Sequence, residues 1–120
     1  MNELPIRRLA QVAFWVCAVA VLCLALAPVP SIPVSVSSWD KLNHVFAFSV
    51  LGLLGLTAWP ARRRALMAWL FAYGCMIEVL QLFTPTHESD WEDVVADVVG
   101  LLVAVAIHSA LAAGVRTWRK

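Results

Sequence analysis

Not one charged side chain interrupts the run from Leu9 to Ala27, LAQVAFWVCAVAVLCLALA. As a helix it is about 28 Å long, enough to cross the ~30 Å hydrocarbon core of a bilayer. Three further stretches have similar length and character: Leu42–Pro60, Ala65–Phe83 and Val94–Val115. The chain is 62% hydrophobic and 14% charged, where a soluble globular domain carries roughly 25% charged residues. A water-soluble fold of 120 residues cannot hide so much apolar surface. The expectation is an all-α, multi-pass membrane protein forming a single domain over residues 1–120. Its four transmembrane helices, at about 9–27, 42–60, 65–83 and 94–115, pack as an antiparallel bundle.

The first run also has signal-peptide features, since Arg7 and Arg8 precede it and Ala25-Leu26-Ala27 resembles a cleavage site. It is longer than the ~7–15 apolar residues of a signal core, and Pro28 follows the small residues directly, so a retained anchor is expected. The three cysteines, Cys17, Cys23 and Cys75, lie in apolar runs without paired spacing and read as small hydrophobes.

Charge is distributed unevenly between the ends of these runs. Arg7 and Arg8 precede the first, Arg62, Arg63 and Arg64 join the second to the third, and Arg116, Arg119 and Lys120 follow the fourth. Lys41 alone among the fixed cations stands at the opposite ends. Basic residues mark the cytoplasmic side, so both termini and the triple-arginine turn are expected there, with residues 28–41 and 84–90 outside. Of eight acids, all but Glu3 fall in the outer loops or outer halves of the helices. The proline- and serine-rich segment APVPSIPVSVSSWDK is expected to be extended. Ser37 or Ser38 can cap the second helix, and Ser89 with Glu92 reads as a capping box for the fourth. Trp39 and Trp91 occupy matching interfacial positions.

Helical spacing sorts the polar residues onto faces. Asp40, His44, Phe48, Gly52 and Gly55 share one face of the second span; Gly74, Glu78 and Gln81 one face of the third; Asp93, Asp97, Gly100, Ala104 and His108 one face of the fourth. A carboxylate facing lipid at mid-depth costs about 2.5–3.5 kcal/mol, so the three faces are expected to turn toward one another beneath an outward-facing polar pocket. With Lys41 the fixed cation on that side and His44 and His87 conditional ones, some acids are expected to be protonated, to share a proton or to hold a cation. The bland alternatives are interhelical glue for Gln81 and Glu78, a helix-start acid with a partnered histidine for Asp40 and His44, and a packed histidine for His108. Asp93 and Asp97, one turn apart, repel unless something bridges them.

The string DKLNHVFAF (Asp40, Lys41, His44), then E-x-x-Q-x-F-x-P (Glu78, Gln81, Phe83, Pro85), then Asp93 and Gly100, resembles the VanZ-like family of small bacterial membrane proteins over about residues 40–105. The resemblance implies residence in the bacterial cytoplasmic (inner) membrane and a link to teicoplanin resistance, the property of the family's founding member. Two positions depart from the family pattern: His87 stands where an arginine is usual, and Asp97 where an asparagine is usual. Both make the outer end more acidic, which argues against a ligand held by fixed positive charge at residue 87.

No phosphate-binding loop, nucleophile elbow or dinucleotide fingerprint is present, and His87-Glu88-Ser89-Asp90-Trp91 lacks the second histidine of a zincin. The leading expectation is a non-enzymatic binding protein that engages an amphiphile, either a lipid-linked envelope component or a lipoglycopeptide antibiotic. Asp40, His44, Glu78, Gln81, His87, Asp93 and Asp97 are its candidate binding residues, with Gln81 orienting Glu78. No organic cofactor is expected, and a divalent cation is compatible with these oxygen-rich residues, favouring Mg²⁺, Ca²⁺ or Mn²⁺ over zinc. Membrane lipids and a second copy of the chain are the other partners considered; nucleic acid is not expected. The rivals are a lipid-active membrane enzyme using His44, Glu78, Asp93 and Asp97, a proton or cation path continuing through His108, and a structural or assembly subunit.

Overall fold

The computed structural model describes residues 3–27, 36–84 and 91–119, with all side chains there except those of Glu3 and residues 36–40. Four helices follow in order: α1 (Glu3–Leu26), α2 (Val36–Ala58), α3 (Arg63–Gln81) and α4 (Trp91–Trp118). No strand occurs among the described residues. Helices α1, α2 and α3 stop one or two residues short of the ends of their apolar runs. Every helix nonetheless starts before its run, and α4 also ends beyond its own, because hydropathy marks what lipid tolerates, whereas the backbone hydrogen-bond ladder continues into the polar flanks. Thus α1 takes in Arg7 and Arg8, and α4 extends to Trp118.

The joint between α2 and α3 is short because the chain turns tightly there. The Trp59 amide still donates to the Gly55 carbonyl (2.8 Å), then Pro60 opens a single 3-10 turn, Pro60–Arg62. Proline at the start of a turn loses nothing, since its missing N–H has no partner to find there. Arg63 and Arg64 already belong to the first turn of α3. At the other end of α3 the last carbonyls are taken by a tightening of the chain. Leu82 N bonds both Glu78 O (3.3 Å) and Val79 O (3.2 Å), while the Thr84 hydroxyl donates to Gln81 O (2.8 Å).

Capping of α2 differs from the sequence expectation. The helix begins at Val36, so Ser37 and Ser38 lie within its first turn and not at its cap. Ser89, the expected cap of α4, and the loop segments 28–35 and 85–90 lie outside the described residues.

Contacts between specific residues fix the topology. His44 meets Asp97, Ser49 meets Gly100 and Gly52 faces Ala104, so α2 and α4 run parallel. Gly55 faces Leu66 while Phe48 and Asp97 both approach Gly74, so α3 runs antiparallel to both. Tyr73 donates its hydroxyl to the Ala18 carbonyl and Gln81 its amide to the Ala25 carbonyl, placing α1 alongside α3 in the same direction. One end of the bundle therefore gathers the start of α1, the triple-arginine turn and the end of α4. The other gathers His44, Glu78, Asp93 and Asp97.

Among the described residues, three helices are long and apolar enough to cross a membrane: Leu4–Leu26, Lys41–Ala58 and Trp91–Trp118. Of their apolar windows, 44% is buried in α2 but only 17% in α1 and in α4, which makes α2 the central helix. The fourth helix, α3, is not among the three; it carries Arg63, Arg64, Glu78 and Gln81 within nineteen residues. Large apolar side chains such as Leu9, Val16, Leu24, Phe46, Leu102 and Leu111 point outward, as lipid-facing residues do. The interior holds Phe14, Phe48, Leu51, Leu56, Leu70 and Ile77.

The tightest packing lies between α2 and α4. A Cβ built on Gly100 would stand 2.6 Å from the Val45 carbonyl oxygen and 3.1 Å from the Ser49 amide nitrogen, both backbone atoms. On Gly52 it would stand 2.5 Å from the Ala104 Cβ. Neither neighbour can swing aside, so the approach requires small residues. Gly100→Ala should therefore lower stability by about 1–3 kcal/mol, as overpacking does, seen as an earlier thermal transition of detergent-solubilised protein. Gly114, with nothing within 4 Å of its added Cβ, is the control: Gly114→Ala should be neutral or stabilising by up to about 1 kcal/mol.

Candidate functional site

Three helices contribute ionisable side chains to one buried locus. From α2 comes His44, four residues before Phe48; from α3 comes Glu78, one turn beyond Gly74; from α4 come Asp93 and Asp97, one turn apart on the same face. Their exposures are 9% for His44, 6% for Glu78, 3% for Asp93 and 1% for Asp97. Since the helices could have turned these groups outward, their convergence reflects the high cost of a charge facing hydrocarbon.

The best defined contact joins α2 to α4: His44 Nδ1 donates to Asp97 Oδ1 at 2.7 Å. A carboxylate accepts, so the bond assigns the proton on that side of the ring to Nδ1. Gly74 makes room for the pair, because an added Cβ there would stand 2.6 Å from Asp97 Oδ2. One nitrogen of His44 and one carboxylate oxygen each of Glu78 and Asp93 lie within 4.8 Å of one another. Among the described residues, these three are placed to hold a cation.

Around this locus the structure supplies further links. Ser49 donates to Val45 O at 2.7 Å and reaches Gly100 O at 3.2 Å, stitching α2 to α4 just below the histidine. Lys41 and Glu92 form an ion pair between the same two helices at the more exposed rim. Glu92 is thus the acidic partner across the helix pair, while Ser89, the other half of its expected capping box, lies outside the described residues.

Gln81 does something different from the expected support of Glu78. Its Nε2 donates to the Ala25 carbonyl at 3.0 Å and ties α3 to the end of α1. It is 3% exposed, and among the described residues its Oε1 accepts no hydrogen bond. The Asp40 side chain and His87 lie outside the described residues. His108, half-buried, stands eleven residues beyond Asp97, about 16 Å along the helix. Leu51, Leu56, Leu70 and Ala104 fill the core between the polar locus and the basic end, so a polar continuation through His108 has no support among the described residues.

The opposite end holds a feature that sequence reasoning missed. Phe14, Trp15, Trp59 and Trp69 form a cluster of edge-to-face and tilted rings, with Trp69 stacked on Tyr73 at 5.5 Å. Together with Arg62, Ala65 and Leu66, four of these rings line a groove of about 250 Å³. Its signal was present, since Trp15, Trp59 and Trp69 all lie near arginines at the basic ends of their runs, where aromatic belts form. Arg63 Nη2 donates to Ser109 Oγ at 2.8 Å beside it, joining α3 to α4.

The VanZ/LLP1 family model matches residues 6–112. No curated protein and no solved structure matches the chain.

The His44–Asp97 pair sets up a double-mutant test. His44→Ala and Asp97→Ala should each cost about 1–3 kcal/mol by leaving a buried polar partner behind. The double variant should cost clearly less than their sum, measured by thermal or denaturant unfolding in one detergent.

Proposed function

The chain belongs to the VanZ/LLP1 family, and on that premise we propose that all four helices cross the bacterial cytoplasmic membrane, with both termini in the cytoplasm. Parallel α2 and α4 support the count. If both cross in the same direction, the chain must return between them, and α3 is the segment that lies there. Its nineteen residues measure about 28 Å as a helix, close to the ~30 Å core of a bilayer. Its polar side chains Glu78 and Gln81 are turned inward. Arginines at the α1 start, the α2–α3 turn and the α4 end support a cytoplasmic basic side, which puts the polar locus on the outer side.

At that outer end the protein binds the polar head of an amphiphile, either a lipid-linked envelope component or a lipoglycopeptide antibiotic. The observation that carries this reading is the burial of His44, Glu78, Asp93 and Asp97, from three helices, at a single locus. A bundle needing only glue has cheaper means, such as the serine and glycine contacts between α2 and α4. Ionisable groups within a membrane-spanning bundle mark functional sites by default. Asp40, in the second turn of α2, and His87, four residues ahead of α4 in the sequence, complete the proposed contact set. A second reading, a lipid-active enzyme, draws on the oriented His44–Asp97 pair, which is how a general base is held.

Expression in a susceptible bacterium tests the binding reading. The wild-type chain should raise the inhibitory concentration of teicoplanin, and Glu78→Ala should abolish the increase at equal membrane abundance. Full protection by Glu78→Ala would remove the site from the function. Turnover of a labelled envelope lipid by purified protein, lost on chelation, would favour the enzyme instead.

A further inference from the structure

We propose that His44, Glu78 and Asp93 form a binding site for one divalent first-row transition ion, Mn²⁺ or Zn²⁺, with Asp97 as the outer carboxylate that orients His44. Three observations carry this beyond the amphiphile reading. The ligand atoms of the three residues lie within 4.8 Å of one another. Ligands about 2.0–2.2 Å from a common ion are at most about 4.4 Å apart, so small side-chain rotations close the set. Second, each ligand comes from a different helix and is buried, so the geometry is fixed by helix packing and not by a mobile loop.

The third observation is the 2.7 Å bond from His44 Nδ1 to Asp97. Metal-bound histidines nearly always donate their second ring N–H to a carboxylate or carbonyl, which sets the tautomer and strengthens the ligand. With Asp97 on Nδ1, coordination falls to Nε2. This division of labour also narrows the metal preference, keeping Mn²⁺ from the set the oxygen-rich residues favoured and admitting Zn²⁺. Taking Asp97 out of the ligand set leaves one imidazole nitrogen and two carboxylate oxygens, a mixed set that suits Mn²⁺ or Zn²⁺ better than Mg²⁺ or Ca²⁺. An ion of charge +2 also offsets the clustering of Glu78, Asp93 and Asp97 in a low-dielectric interior, where carboxylates otherwise repel.

The experiment uses tag-free, chelator-treated full-length protein in detergent, titrated with Mn²⁺ alone and with Zn²⁺ alone. One equivalent of at least one ion should bind per chain in the presence of excess Mg²⁺. His44→Ala, Glu78→Gln and Asp93→Asn should each weaken binding more than tenfold, and Asp97→Asn by about 10–100-fold with the stoichiometry kept. Circular dichroism checks that each variant keeps its helix content. For variants that fail that check, pulsed electron paramagnetic resonance of the Mn²⁺-loaded wild type should detect a coordinated imidazole nitrogen. The absence of saturable binding of either ion overturns the proposal, as does binding retained in every folded variant or Mn²⁺ bound without a nitrogen ligand. Because the ion is used alone, this outcome is separate from that of the teicoplanin test.

Discussion

The backbones of α2 and α4 touch, and most of the polar architecture depends on that approach. Gly100 lies against the Val45 carbonyl and the Ser49 amide, and Gly52 lies against Ala104. Only at this separation can a side chain as short as aspartate reach from α4 to Nδ1 of His44 at 2.7 Å. Gly74 repeats the device on α3 by leaving room for the far oxygen of Asp97. The glycines thus act twice: they give van der Waals contact in a solvent that offers no hydrophobic drive between helices, and they set the distances on which the ionisable cluster depends.

That cluster inverts the usual economy of a membrane bundle. Serine and backbone contacts such as Ser49 to Gly100 hold helices together without charge. Three carboxylates and an imidazole in the same region raise the stakes, because a low dielectric strengthens every satisfied contact and penalises every unsatisfied one. The rim pair Lys41–Glu92 closes the same helix pair nearer the surface. An asparagine at position 97, which the family resemblance leads one to expect, would still accept from Nδ1 but bring no charge. Aspartate makes His44 a stronger ligand or base.

Much of this was legible in the residues. The i, i+4 faces carrying His44, Glu78, Asp93 and Asp97 follow from helical geometry, and the small residues among them foretell close packing. Family membership was legible from the Asp40–Phe48 string and the Glu78–Pro85 pattern. Less legible was which acid takes His44, because Asp40, Asp93 and Asp97 are all candidates within about a turn of it and only the rotation and spacing of α2 against α4 decide. Gln81 was assigned to Glu78, its neighbour one turn back, but its partner is the Ala25 carbonyl, whose position depends on how α1 docks. Backbone acceptors leave no mark in a sequence. The Phe14–Trp15–Trp59–Trp69 cluster is harder to read because its members come from α1, α3 and the joint after α2, at unrelated phases.

The parallel pairing of α2 with α4 has a consequence for how the chain is made. His44 leaves the ribosome fifty-three residues ahead of Asp97, roughly 3–10 s at ordinary rates of synthesis. With α2 and α3 crossing as proposed, the imidazole, and then Glu78, enter the bilayer in that interval, before the helix that completes their surroundings exists. A nascent chain halted before α4 therefore presents polar groups to the insertion machinery and to membrane proteases that the finished protein conceals. The last helix thus closes the bundle and also serves as its certificate of completion.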